Sequence, residues 1–161
     1  MKGALNIPGL LKLALLYVKR EMLKLRHLIN DLERERLFRK YGCLLYKSRL
    51  NSDILNQLYK KTDIVLEELK KRDIKGIKAF DLKKKRNQLY AEMGETAYLN
   101  KIHGPESDYL YFKISDIMYK RKMIIESINI INNRMENPGR YLILFIMIIV
   151  LILLFIFLRL K

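Results

Sequence analysis

The chain has 161 residues, a formal charge of +15 and 50% hydrophobic residues. One modest domain fits that length. A single cysteine excludes an intrachain disulfide and a clustered thiolate metal site. No glycine falls in a GxGxxG or GxxxxGK pattern, there is no HExxH and no serine nucleophile elbow, so nothing in the motifs points to an enzyme, a metal or a cofactor.

Pro8 and Gly9 open a first predicted helix. Leu11, Leu15, Val18, Met22, Leu25, Ile29 and Leu32 follow at alternating spacings of four and three, the stripe expected of a coiled-coil seam or a helical hairpin. The N-terminal apolar stretch is not a secretory signal, because Lys12 interrupts it and Lys19 and Arg20 stand where small residues would precede cleavage. Its apolar residues beside Lys12, Lys19 and Arg20 would also let this helix lie on a lipid surface. Packing on a partner helix is the commoner use of such a stripe.

The stripe fails across Arg34 to Lys40, and Gly42 and Cys43 mark the expected turn. Cys43 itself reads as a small buried side chain. A second stripe, Leu55, Leu58, Thr62, Val65 and Leu69, resumes after Asn51 and Ser52. Lys70, Lys71 and Arg72 end it, and Gly76 sits in a segment without a clean period. The third stripe is Leu82, Leu89, Met93 and Thr96, with Lys83, Lys84, Lys85 and Arg86 beside it. These two basic runs are the expected contact with an anionic surface, against the plainer reading of a solvated helix face. Nucleic-acid binding is electrostatically possible but no reading motif accompanies it.

His103, Gly104 and Pro105 make the clearest turn, since proline lacks a donor and restricts its predecessor. Ser107 or Asp108 can cap a fourth helix whose seam is Leu110, Ile114, Ile117, Arg121, Ile124, Ile128, Ile131 and Met135. Arg121 in that seam either fixes register or snorkels from its edge. Asn137, Pro138 and Gly139 then form a predicted hinge.

From Tyr141 to Leu158 no residue is charged. At 1.5 Å per residue the run covers roughly 27 Å, a bilayer's hydrocarbon thickness. Tyr141, Leu144, Ile148, Leu151, Phe155 and Leu158 are the expected lipid-facing positions, with Arg140, Arg159 and Lys161 at the headgroups. Lys120, Arg121, Lys122, Arg134 and Arg140 on the proximal side predict a cytoplasmic N-terminus, and the three residues after the span predict insertion after synthesis. The expectation is thus a tail-anchored, single-pass type IV protein of a bacterial inner membrane.

The segment Asp81 to Asn137 resembles helical hairpins of uncharacterised bacterial coiled-coil proteins, with LYAEMGETAY before a polar turn and a long return helix. Leu89, Tyr90, Gly94 and Tyr98 carry the likeness, which implies a fold more than an activity. A tail anchor behind heptads with Arg121 in the seam is also similar to SNARE proteins.

The expected fold is all-α, with two tandem coiled-coil-like hairpins followed by a transmembrane helix. The boundaries are 1–72, a linker at 73–80, 81–137, a hinge at 138–140, the span at 141–158 and a tail at 159–161. The expected function is a non-enzymatic, membrane-anchored scaffold or adaptor that self-associates or recruits a helical protein. The alternatives are a membrane-active protein that binds anionic lipid and remodels or permeabilises the bilayer, nucleic-acid tethering, and SNARE-like fusion.

Overall fold

The computed structural model describes residues 7–71, 74–135, 146–147 and 149–150, with side chains from residue 12 onward. The elements are α1 (Ile7–Ser48), α2 (Asp53–Lys70), α3 (Gly76–Leu99) and α4 (Asp108–Arg134), and no strand occurs among the described residues. The chain divides into two compact units, one comprising Met1–Leu28 with Arg121–Lys161 and the other Ile29–Lys120.

In the Ile29–Lys120 unit a shared core draws on all four helices. Leu37, Phe38, Tyr41 and Leu45 come from α1, and Leu55, Leu58, Tyr59 and Val65 from α2. Leu82, Leu89, Met93 and Ala97 come from α3, and Leu110, Ile114 and Ile117 from α4. The stripes read for α2, α3 and the first half of α4 are therefore the faces that pack.

Helix α1 departs from expectation. It runs without interruption through Arg34–Lys40 and through Gly42, and the chain turns only after Ser48. Arginine and lysine are good helix formers, and Arg36, Arg39 and Lys40 point outward while Leu37, Phe38, Tyr41 and Leu45 face inward. The apolar face in this stretch rests on two leucines and two aromatic residues at i, i+1, i+4 and i+8, a pattern hidden among the charges.

Gly42 is the point where α1 meets α3. A Cβ on Gly42 would overlap the carbonyl oxygen of Tyr90 and lie 2.9 Å from the amide nitrogen of Gly94. A Cβ on Gly94 would overlap the carbonyl oxygen of Phe38 and lie 3.0 Å from the amide of Gly42. Two backbones touch here because neither carries a side chain. Phe38 and Tyr98 flank the crossing, ring centroids 5.8 Å apart.

The connections use backbone more than side-chain caps. Ser52 starts α2 without a side-chain cap bond, its carbonyl accepting from Leu55 and Asn56 at 3.0 and 3.1 Å. After α3, Lys101 takes a left-handed φ of 54° and the Ile102 amide bonds the Ala97 carbonyl at 2.8 Å. Ser107 closes the predicted Gly104–Pro105 turn, its hydroxyl accepting from the Gly104 amide at 2.9 Å and donating to the Gly104 carbonyl at 3.0 Å. Tyr41 ties α1 to this turn by donating to the Ile102 carbonyl at 2.6 Å.

In the unit that contains Met1–Leu28 and Arg121–Lys161, Tyr17 of α1 is buried with Ile131 and Met135, and Leu16 and Leu23 pack beside them. Arg20 is also buried, its guanidinium 4.7 Å from the centre of the Tyr17 ring and 2.6 Å from Glu21, which Lys24 approaches at 3.0 Å.

The membrane expectation is corrected by this structure. Among the described residues no helix is long and apolar enough to cross a membrane. Each of the four helices carries Lys, Arg, Asp or Glu along its length, residues that a bilayer interior accepts only at a cost. The transmembrane, single-pass and tail-anchored descriptions, and the bacterial inner-membrane location built on them, fall with that finding. The span positions Tyr141, Leu144, Ile148, Leu151, Phe155 and Leu158 lie outside the described residues.

Overpacking a close contact costs about 1–3 kcal/mol, more than the ~1 kcal/mol by which alanine exceeds glycine in helix propensity. Gly42→Ala and Gly94→Ala are each expected to lower the denaturation midpoint measured by circular dichroism. A midpoint unchanged or raised in both variants would show that the helices do not touch there.

Candidate functional site

Three surfaces gather side chains that the compact cores leave out or hold in a specific geometry. The first is the α1 stripe. In the unit that contains Met1–Leu28, the buried side of α1 is the one bearing Tyr17 and Arg20. Leu15, Met22, Leu25 and Leu28 are 62%, 56%, 59% and 56% exposed, and Val18 is exposed with them. Ile29 and Leu32, at the start of the Ile29–Lys120 unit, are exposed too. The predicted seam on α1 thus faces solvent, opposite to the side that packs. The side chain of Leu11 lies outside the described residues.

The α4 seam behaves differently. Leu110, Ile114 and Ile117 are core residues, whereas Arg121, Ile124 and Ile128 are half-buried. Ile128 lines a cavity of about 220 Å³ with Ile125, Lys24 and His27. The structure therefore splits the seam residues into a packed set on α4 and an exposed set on α1.

The basic runs do not form one patch of equivalent charges. Lys70 and Lys71 are exposed at the end of α2, and Arg72 lies outside the described residues. Lys83, Lys84 and Lys85 are exposed on α3. Arg86 turns inward instead, half-buried, with its guanidinium 5.9 Å from the Tyr90 ring centre and bonded to Asn87 Oδ1 at 3.2 Å. Lys83 and Lys84 line a groove with Arg39 and Glu35 of α1, together with Phe80, Asn87 and Gln88. Sequence reading missed this juxtaposition because Arg39 is far from the lysines along the chain.

The third feature, also missed, staples α1 to α2. Arg49, at a left-handed φ of 48°, has its guanidinium 4.3 Å from the Tyr46 ring centre and 5.1 Å from that of Tyr59. It pairs with Asp63, whose Oδ1 also accepts from the Tyr46 hydroxyl at 2.5 Å. The Tyr59 hydroxyl donates to the Leu45 carbonyl at 3.3 Å. The Arg49 guanidinium, with help from the Tyr46 hydroxyl, holds the Asp63 carboxyl below its ordinary value against some desolvation. Burial, reinforced by that carboxylate, pushes the Tyr46 phenol up to about 12.

Burial also pushes Tyr41 up to about 12 and raises Tyr59 and Tyr90. The arrangement holds helix ends together and offers no nucleophile beside a base. His103 is committed to the turn, its Nδ1 2.5 Å from Asp108 Oδ1 and its ring stacked on Tyr111 at 4.7 Å. Cys43 is half-buried. Among the described residues no cluster of His, Cys, Asp and Glu is placed to hold a metal ion.

A phenol whose folded pKa is raised binds its proton more tightly in the native state. Its stabilisation is therefore complete below pH ~10, the ordinary value, and is lost as pH climbs toward the raised one. Alkaline titration followed by phenolate absorbance, with circular dichroism alongside, tests this packing. Tyr41, Tyr46, Tyr59 and Tyr90 should ionise only as the helical signal is lost. A single early wave with the helices intact would contradict this packing. For Asp63 the sign is opposite: its contribution is present above pH ~4 and fades as pH falls through its lowered value, so Asp63→Asn should flatten the acid limb of the stability curve.

Compared with protein families, with curated proteins and with solved structures, the chain has no match. The geometry of these surfaces is therefore what a functional reading rests on.

Proposed function

We propose that the chain is a non-enzymatic helical scaffold that self-associates through the exposed stripe of α1. The observation that carries the reading is that Leu15, Val18, Met22, Leu25 and Leu28 face solvent from a helix that is already held by burial of its other side. Such a helix has paid its nucleation cost, so a partner helix gains packing without having to order the receiving surface. Hydrophobic burial rewards closure of the stripe at about 25 cal/mol per Å².

The charges beside the stripe favour a second copy in parallel register. With Leu15 and Met22 at a positions and Val18 and Leu25 at d positions, Glu21 occupies g and Arg26 the following e. In a parallel pair each Glu21 meets the partner's Arg26, twice over by symmetry. Glu21 already lies between Arg20 and Lys24; desolvation is the largest single influence on its carboxyl and raises it, but the combined hydrogen bonds and charges of Lys24 and Arg20 hold it below the ordinary value. An antiparallel pairing would instead bring Lys19 and Arg26 of the two copies together.

Sedimentation equilibrium of the full chain is expected to give a concentration-dependent dimer. Met22→Asp with Leu25→Asp should yield a monomer whose melting temperature is nearly unchanged, since both residues are exposed. An exchange that places Arg at position 21 should weaken the dimer, and adding Arg26→Glu in the same chain should restore it. A wild-type chain that is monomeric at all concentrations overturns the proposal.

A further inference from the structure

A groove in the Ile29–Lys120 unit combines features that a solvated basic face does not need. Phe80, Lys83, Lys84, Asn87 and Gln88 stand at i, i+3, i+4, i+7 and i+8 on α3, one helix face, and Arg39 of α1 lines the same groove. Its volume of about 360 Å³ is in the range of small-ligand sites. Phe80 is 67% exposed, an aromatic ring held in water beside cations. Among the described residues Arg39, Lys83 and Lys84 form no ion pair and Phe80 makes no ring contact, whereas neighbouring Arg86 is occupied by Tyr90 and Asn87.

Those groups divide by chemistry. The three cations suit a phosphate, the ring suits a flat aromatic surface, and the two amides offer both donors and acceptors at the edge of that surface. Glu35, the carboxylate that also lines the groove, is the acceptor an exocyclic amino group would need and is out of place if the ligand is anionic throughout. A ligand that uses all of them has a phosphate at one end and a hydrogen-bonding aromatic ring at the other.

We propose that this groove binds a nucleotide, with its phosphate on Arg39, Lys83 and Lys84 and its base stacked on Phe80 within reach of Asn87, Gln88 and Glu35. The nucleotide can be free or part of a single strand, because the recognising chemistry is the same. A duplex hides its base faces, and a phosphatidylserine headgroup has no aromatic ring to stack on Phe80. The net charge of +15 raises the local concentration of any such polyanion.

The test uses the full chain and fluorescence anisotropy of a labelled single-stranded oligoadenylate, with AMP as competitor. A duplex of equal length and vesicles of phosphatidylcholine with phosphatidylserine serve as the other arms. Single-strand binding is expected to weaken about tenfold in Phe80→Ala and in Phe80→Leu, with the salt dependence kept. Lys83→Ala with Lys84→Ala should lower the slope of log affinity against log salt by about 0.7 per lysine. Phe80, Lys83 and Lys84 are exposed, so all three variants should melt like the parent protein.

Competition by AMP identifies the free nucleotide as a ligand, and binding of the strand without such competition identifies the polymer; either supports the site. The proposal is overturned if neither is bound or if the Phe80 variants bind like the parent. It is equally overturned if duplex binds as tightly as single strand, or if the lysines serve only the vesicles.

Discussion

The contact between the backbones of α1 and α3 at Gly42 and Gly94 is the constraint around which the Ile29–Lys120 unit is arranged. Helices with ordinary side chains keep their axes 8–10 Å apart. Removing both side chains at one level lets the peptide groups themselves meet, and every neighbouring residue must then fit a narrow wedge. Phe38 and Tyr98 fill it on one side of the crossing. Met93 and Ala97, next to Gly94 on α3, are fully buried, as is Tyr41 beside Gly42 on α1.

Rings and guanidinium groups do much of the joining that caps would otherwise do. Tyr41 reaches the α3–α4 turn, Tyr59 reaches the end of α1, and Arg49 lies against the faces of Tyr46 and Tyr59 while holding Asp63. Arginine suits that place because its planar, delocalised charge stacks on rings while its edge bonds a carboxylate. The left-handed turn at Arg49 is held by these contacts on both sides of the junction. Local backbone strain of this kind persists where surrounding structure determines it.

Much of the fold was legible in the sequence, and the failures have physical causes. Leu55, Leu58, Thr62 and Val65 on α2, Leu82, Leu89 and Met93 on α3, and Leu110, Ile114 and Ile117 on α4 pack as their spacing predicts. The all-α class and the turn at His103–Pro105 were readable for the same reason: periodicity and proline act locally. The stripe on α1 was readable as a stripe but not as an exposed one, because periodicity identifies an apolar face without saying which face the rest of the chain covers. Gly42 looked like a turn because a glycine alone does not disclose whether it frees the backbone or admits a neighbour. Its meaning depends on Gly94, a residue of another helix. The groove between Arg39 and Lys83–Lys84, like the Arg49 staple, is a product of tertiary approach and left no spacing to read.

The protected phenols also give the molecule an internal reporter. Reagents that nitrate tyrosine act on rings they can reach, and Tyr109 and Tyr119 stand open at 71% and 64% exposure while Tyr41 is wholly enclosed. Labelling of the first two therefore records time in reagent, and labelling of Tyr41 records time spent open at the α3–α4 turn. Their ratio turns one hydrogen-bonded side chain into a gauge of local breathing, readable by mass spectrometry without any engineered probe.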